Sequence, residues 1–302
     1  MASLYVEALI RADLDELWER TQEPALHQRW DLRFTEIAYL PADAPGEPRR
    51  FRYATRVLPF LTIAGTGVSA GEKRRPDGTR TSALRFASPH PLSLLAEGSG
   101  YWRYVPRGDG DGVRFLTGYD YRPRWGRCGA LADRFVLRPL MGWATAWSFD
   151  RLRLWLERGI SPRRGLAGAL GEVVVRALVV VAAGLLAGPV AGVVSGSGSG
   201  PYSGAMSGPV SGPVPGLVAA LVVAVLACAV PPLPTTPAAR RCLRTPPASV
   251  RAPRLLDRLT APADRLTGPA DGVTAPADAV TALTDRPATS TGHPALPEEQ
   301  HA

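Results

Sequence analysis

Three stretches of this chain alternate aromatic and hydroxyl-bearing residues with arginine. In GVRFLTGYDYR, residues 112–122, one strand face holds Val113, Phe115, Thr117, Tyr119 and Tyr121. The other holds Arg114, Leu116, Asp120 and Arg122, because alternate residues of a strand share a face. In FRYATRV, residues 51–57, the apolar set is Phe51, Tyr53, Thr55 and Val57; in RTSALRFAS, residues 80–88, it is Ser82, Leu84 and Phe86. The faces expected to point inward are therefore greasy, dotted with hydroxyls, and free of carboxylates on these three strands. Such a surface suits an apolar ligand oriented by a few hydrogen bonds. It suits acid–base chemistry poorly, since a general base must reach the substrate. The same residues could equally fill a closed core.

Other chemistry finds little support. The sequence has no GxxxxGK[ST], HExxH or GxSxG pattern. His27, His90, His293 and His301 do not pair at metal-ligand spacing, and Cys128, Cys228 and Cys242 form no CxxC pair. No catalytic residue, metal or cofactor is assigned. The net charge of +8 comes almost wholly from Arg, Lys73 being the one Lys, without a block of five like charges, so nucleic acid is not an expected partner.

The elements that must position these faces read clearly. SLYVEALIRA is a first strand; LDELWERT follows as a helix capped by Asp13, with Glu16 at capping-box spacing. EPALHQRWD is a second short helix. Six β-rich segments then run to about residue 123, punctuated by turn signals such as RGDGDG. Strands in sequence with short turns form an antiparallel sheet. A long helix follows over 128–158, with Pro139 expected to kink it and Gly159 and Pro162 to end it. It carries Trp143, Trp147 and Trp155. Leu137, Met141, Ala144, Ser148 and Trp155 form its expected sheet-facing stripe, widened by Trp143, Trp147 and Leu154. Arg151, Arg153, Glu157 and Arg158 take the far side and the end.

Residues 165–233 change character. VVVRALVVVAAGLLAGPVAGVV, 173–194, is long enough to span a bilayer, and a shorter apolar run covers 214–233. Arg163 and Arg164 precede the pair, Arg240, Arg241 and Arg244 follow it, and the Gly/Ser/Pro linker between has none: the pattern of a hairpin with both ends cytoplasmic. Arg176 is placed to snorkel to the interface, and Gly184, Gly188 and Gly192 repeat at GxxxG spacing. From 234 to 302 the chain is Pro/Ala/Thr-rich, with a seven-residue period from Thr260 broken by prolines, and reads as a disordered tail.

The segment LYVEALIRADLDELWERTQEPALHQRWD, with Trp18 and Trp30 in place, resembles the opening of the START/Bet v1-like superfamily, in its bacterial polyketide cyclase/dehydrase and lipid transport branch. The likeness covers about residues 1–158. It implies an α+β helix-grip fold, a curved antiparallel sheet wrapped around a long C-terminal helix. The expected organisation is thus a helix-grip domain over 1–160, a transmembrane helical hairpin over 165–233 and a tail over 234–302. Tyr53, Thr55, Ser82, Phe86, Phe115, Thr117 and Tyr119 from the sheet, with Met141, Ala144, Trp147 and Ser148 from the helix, are the candidate ligand-binding residues. The expected function is a membrane-tethered cytoplasmic domain that binds a hydrophobic small molecule, a lipid or polyketide, for transfer or sequestration. Two rivals stand beside it. One is a cyclase/dehydratase in which Tyr53, Tyr119 or an inward Arg103 polarises a carbonyl; the other is a structural adaptor with a filled core.

Overall fold

Seven stretches of period-two sequence become seven strands: β1 Ala2–Ile10, β2 Glu36–Tyr39, β3 Arg50–Leu58, β4 Leu61–Arg74, β5 Arg80–Ala87, β6 Leu95–Pro106 and β7 Val113–Pro123. The structure is a computed structural model and describes residues 2–41, 48–108, 110–195 and 214–247. The chain divides into two units, Met1–Thr267 and Gly268–Ala302, and every described residue belongs to the first. The strands form one antiparallel sheet in the order β1-β7-β6-β5-β4-β3-β2. Strands β2 to β7 are a meander, and β1 closes onto β7. The β6–β7 turn depends on glycine: Gly112 has φ +95°, and a Cβ there would lie 2.3 Å from the Ile10 carbonyl oxygen.

Two helices join β1 to β2. In α1, Leu14–Gln22, the Asp13 carboxylate accepts the N–H groups of Asp15 (2.7 Å) and Glu16 (3.2 Å), so the expected cap forms. Glu16 itself pairs with Arg20 rather than closing a capping box. Helix α2, Pro24–Trp30, ends on Trp30, which is fully buried and donates its indole N–H to the Arg20 carbonyl.

After β7 come α3, Gly126–Ala132, a π-helical turn, Asp133–Leu137, and α4, Arg138–Arg158. Pro139 sits in the first turn of α4, where a missing N–H costs little, and the helix is re-registered by the π turn just before it. Helix α4 lies over the β1–β7 side of the concave face. Its Phe149 stacks on Phe115 with ring centroids 4.4 Å apart, and Gly142 sits against Leu4. Ala146, Phe149 and Leu152 are fully buried, so the sheet-facing stripe is turned by about one residue from the expected Met141–Ala144–Ser148 line.

The cause is that α4 has no solvent face along its middle: Thr145 to Leu152 are all buried. The side expected to be wet is covered by the start of α5, Pro162–Ser195, and by residues 234–243. Buried Arg151 donates to the Pro162 and Trp30 carbonyls, so it is not a surface residue as the sequence pattern implied. Asp150, wholly buried, accepts from Arg153, the Ala238 N–H and Arg241 at 2.7–2.8 Å. The Cys242 thiol donates to the Ala146 carbonyl, and Leu243 makes a two-way backbone bridge with Glu7 of edge strand β1. Residues 234–243, expected to be part of the tail, fold onto α4 and β1, with Thr236, Ala238, Ala239 and Cys242 buried. Composition misled because the partners that order this segment, Glu7, Ala146 and Asp150, lie far away in the chain. The tail from 248 and its period from Thr260 lie outside the described residues.

Helix α5 pairs with α6, Val214–Ala229. Residues Pro162–Leu186 of α5 are long and apolar enough to cross a membrane, with none of the most apolar window buried; the apolar part of α6, Ala220–Ala229, is shorter. Arg176, near the start of the apolar run, has partners within the chain. It caps the C-terminus of α6, donating to the carbonyls of Ala227, Val230 and Pro231, and pairs with Glu172. Glu172 in turn accepts from Leu233 N–H and the Thr236 hydroxyl. The linker at 196–213 lies outside the described residues.

Asp150 is the group that ties this return to the grip helix. Asp150→Ala is expected to destabilise the protein by about 2–4 kcal/mol in urea unfolding of the detergent-solubilised chain, since three donors lose one acceptor in a buried network. Arg158→Ala, which removes one exposed contact to the Pro234 carbonyl, should stay within about 0.5 kcal/mol.

Candidate functional site

The concave face is divided into a filled half and a partly covered half. Trp30, Trp102, Tyr104, Phe115 and Phe149 are all buried and in mutual ring contact under α4. Of the candidate residues, Phe115 and Thr117 belong here, both fully buried, with the Thr117 hydroxyl donating to the Tyr101 carbonyl. Ser82 is buried beside them on the same face. Ser148 accepts the Leu32 N–H at 2.9 Å, and Trp147 is buried beneath Arg151 and beside Trp143. These five side chains are spent on packing and internal hydrogen bonds.

Tyr53, Thr55, Phe86, Tyr119, Met141 and Ala144 are only partly covered. Four aromatic rings pack close against this part of the sheet because each sits opposite a glycine. Tyr53 covers Gly65, Phe51 covers Gly67, Phe86 covers Gly98 and Tyr119 covers Gly100; a Cβ on any of these glycines would fall 2.2–2.6 Å from the ring that covers it. The glycines of GTG in β4 and GSG in β6 are thus what lets these rings pack directly onto the backbone. Phe34 meets Tyr53 edge-on, and Tyr53 meets Phe86 in the same way. Burial pushes the Tyr53 hydroxyl up to about 12, so it stays protonated and donates to the Ala87 carbonyl.

Sequence reasoning missed the polar centre beside this floor. Asp31, at the end of α2, accepts from Arg33 through Nε (2.9 Å) and Nη2 (2.6 Å), from the Arg33 backbone N–H and from His27 Nε2 (3.0 Å). Arg33 Nη1 donates to the Tyr119 hydroxyl at 2.5 Å, and the Arg33 carbonyl accepts from Thr55. His27, Asp31 and Arg33 are all buried. Burial alone would raise the Asp31 carboxyl, but the Arg33 guanidinium and the hydrogen bonds from Arg33 and His27 outweigh it and hold Asp31 well below the usual carboxylate range. Burial lowers His27, which is neutral at pH 7 among Trp30, Phe34 and Trp102. No inward carboxylate sits on β3, β5 or β7; the loop after α2 supplies one. The signal was HQRWDLR, a His-x-x-x-Asp-x-Arg spacing that only acquires meaning once the helix end is placed.

Arg103 lies on the opposite, convex face, its guanidinium 5.3 Å from the centre of the Tyr101 ring, next to a small cluster of Tyr5, Ala83, Tyr101 and Leu116. It does not reach the concave side, which counts against the cyclase reading built on it. Two shallow depressions, about 430 and 410 Å³, lie elsewhere, around Arg11, Asp13 and Arg107 and around Leu9, Arg158 and Arg241. Among the described residues no group of three or more His, Cys, Asp or Glu could hold a metal ion.

A seven-stranded antiparallel sheet, two short helices between its first two strands, and a long helix returning across its concave face define a helix-grip domain. No family model matches the chain. It is similar to an uncharacterized membrane protein, YndG, of Bacillus subtilis (strain 168), with 48% identity over 167 residues, covering 55% of this chain and 62% of that relative. Among solved structures it is similar to a STAR-related lipid transfer protein fragment of Xanthomonas axonopodis (18% identity, 52% of this chain and 86% of that one, TM-score 0.39). It is similar also to the di-domain ARO/CYC StfQ of the steffimycin biosynthetic pathway (13% identity, 50% and 48%, TM-score 0.38).

Asp31→Asn should cost about 3–5 kcal/mol at pH 7, because it leaves the buried Arg33 charge without its partner. The folded carboxyl is depressed, so its stabilisation is complete above the unfolded value of about 4 and fades as the pH falls towards the folded value. Urea unfolding from pH 7 to pH 3 should therefore show the gap between the wild type and Asp31→Asn narrowing only below about pH 4.

Proposed function

We propose that this chain is a membrane-held helix-grip domain that binds an apolar small molecule on the partly covered half of its concave face, for transfer or sequestration. The observation that carries the reading is the floor of aromatic rings packed over glycines and left only partly covered by α4. The strand turns and helix start at the same end of the sheet present further apolar surface: Phe60 is 86% exposed and Phe135 66%, with Val57, Leu92, Leu140 and Trp143 also exposed. Apolar side chains grouped this way mark a contact or entry surface for something apolar.

Three observations support the membrane. The outer faces of α5 and α6 are apolar and exposed, with Leu170, Leu178, Leu185, Leu221 and Leu226 all uncovered. The hairpin leaves α4 at Pro162 and returns to α4 through Arg241, so both its ends belong to one folded body and to one side of a bilayer. The relative in B. subtilis is named as a membrane protein. Arginines flank the hairpin on this side, which supports a cytoplasmic placement of the domain. The adaptor reading is favoured by a specific observation of its own, the filled Trp30–Phe115–Phe149 half. That half bounds the ligand site and leaves the floor to bind.

The test uses the full chain, because residues 234–243 are part of the grip. Extracted from its native membrane into polymer nanodiscs and examined by native mass spectrometry, it should release a stoichiometric apolar small molecule absent from discs holding an unrelated hairpin protein. A chain that carries bulk lipid only would contradict the proposal.

A further inference from the structure

The Tyr119 hydroxyl occupies an unusual position on the floor. It accepts from Arg33 Nη1, and among the described residues it donates to nothing. Arg33 cannot turn away, because Nε and Nη2 are both engaged by Asp31, and Asp31 is fixed in turn by His27. The Tyr119 ring packs over Gly100, next to the Phe86 ring over Gly98 on the same face. The arrangement is thus a rigid phenol whose oxygen is already satisfied by a cation and whose proton is left to give. A hydroxyl that accepts from a guanidinium becomes a better donor, since hydrogen bonds in a chain polarise one another. The Arg33 charge is matched by Asp31, so the local field favours a neutral acceptor over an anion.

We infer that Tyr119 recognises a carbonyl oxygen on an apolar ligand packed against Tyr53 and Phe86. This rests on the apolar-ligand reading above and adds which ligand atom is selected and by what. His27, Asp31 and Arg33 are positioning residues: they hold the phenol, and none of them faces the ligand. The proton stays on Tyr119, no bond is broken, and the role is one of selection.

A pair of isosteric probes separates this inference from the reading beneath it. Fluorenone and fluorene have the same planar shape and differ by a carbonyl in place of a methylene. Equilibrium dialysis against the full chain in nanodiscs, with empty discs subtracted, should show fluorenone bound about tenfold more tightly than fluorene, the worth of one well-placed hydrogen bond. Tyr119→Phe keeps the ring over Gly100 and removes the hydroxyl. It should bring the two probes within about twofold by weakening fluorenone alone, and unchanged fluorene binding reports that the floor is intact. Equal binding of both probes to the wild type would overturn the role of Tyr119 while leaving the apolar site standing, and that comparison needs no variant to fold. Retention of neither probe above empty discs would overturn the apolar-ligand reading and this inference with it.

Discussion

The structure depends on α4 being held from two sides at once. Consecutive residues of a helix point about 100° apart. Phe149 therefore turns into the sheet, stacking on Phe115, while Asp150 turns away and accepts from Arg153, Ala238 and Arg241. The first contact is apolar and adds about 0.5–1.5 kcal/mol beyond the area it buries. The second is a buried carboxylate, which would be costly alone and is acceptable here because each oxygen is satisfied. Together they make the grip helix the common wall of two things: the curved sheet with its aromatic floor, and the seam through which the apolar hairpin re-enters the domain.

The floor follows from a different constraint. Four rings cannot pack this close to a sheet whose cross-strand neighbours carry Cβ atoms, and here each ring has a glycine opposite it. What the glycines lose in strand propensity is offset by ring burial on the backbone. Beside this floor the His27–Asp31–Arg33 cluster fixes a single phenol in place. A buried cluster of this kind is a specifying feature more than a source of stability. It sets where one hydroxyl stands on an otherwise greasy surface.

The sheet was legible in the sequence because a strand's period is short and its faces are chemically unlike. Phe115, Thr117 and Tyr119 fall on the concave side and Arg114 on the convex side, as alternation implied; Arg114 bonds Glu7 there. Helix α4 was legible as a helix but not as to its facing. Buried on both sides, it carries no polar stripe to orient it, and Asp150 and Arg151 look like surface charges until partners distant in the chain are in place. The same distance hid the fold of 234–243, whose Pro-rich composition is ordered by Asp150 and the free edge of β1. Of the candidate ligand residues, those on strands near the sheet's open half are placed on the floor. Ser148 and Trp147 were chosen from a stripe turned by one residue, and are spent on the α2–β2 loop and on Arg151. His27, Asp31 and Arg33 escaped because a functional loop has no periodicity to read.

The most direct measurement of this account is native-state hydrogen exchange on the full chain in nanodiscs, read separately for residues 142–154 of α4 and for 236–243. If α4 is gripped from both sides, the two segments exchange slowly and open together, with the amides of Ala238 and Leu243 protected by Asp150 and Glu7. Exchange of 236–243 at the rate of a free peptide while α4 stays protected would contradict it.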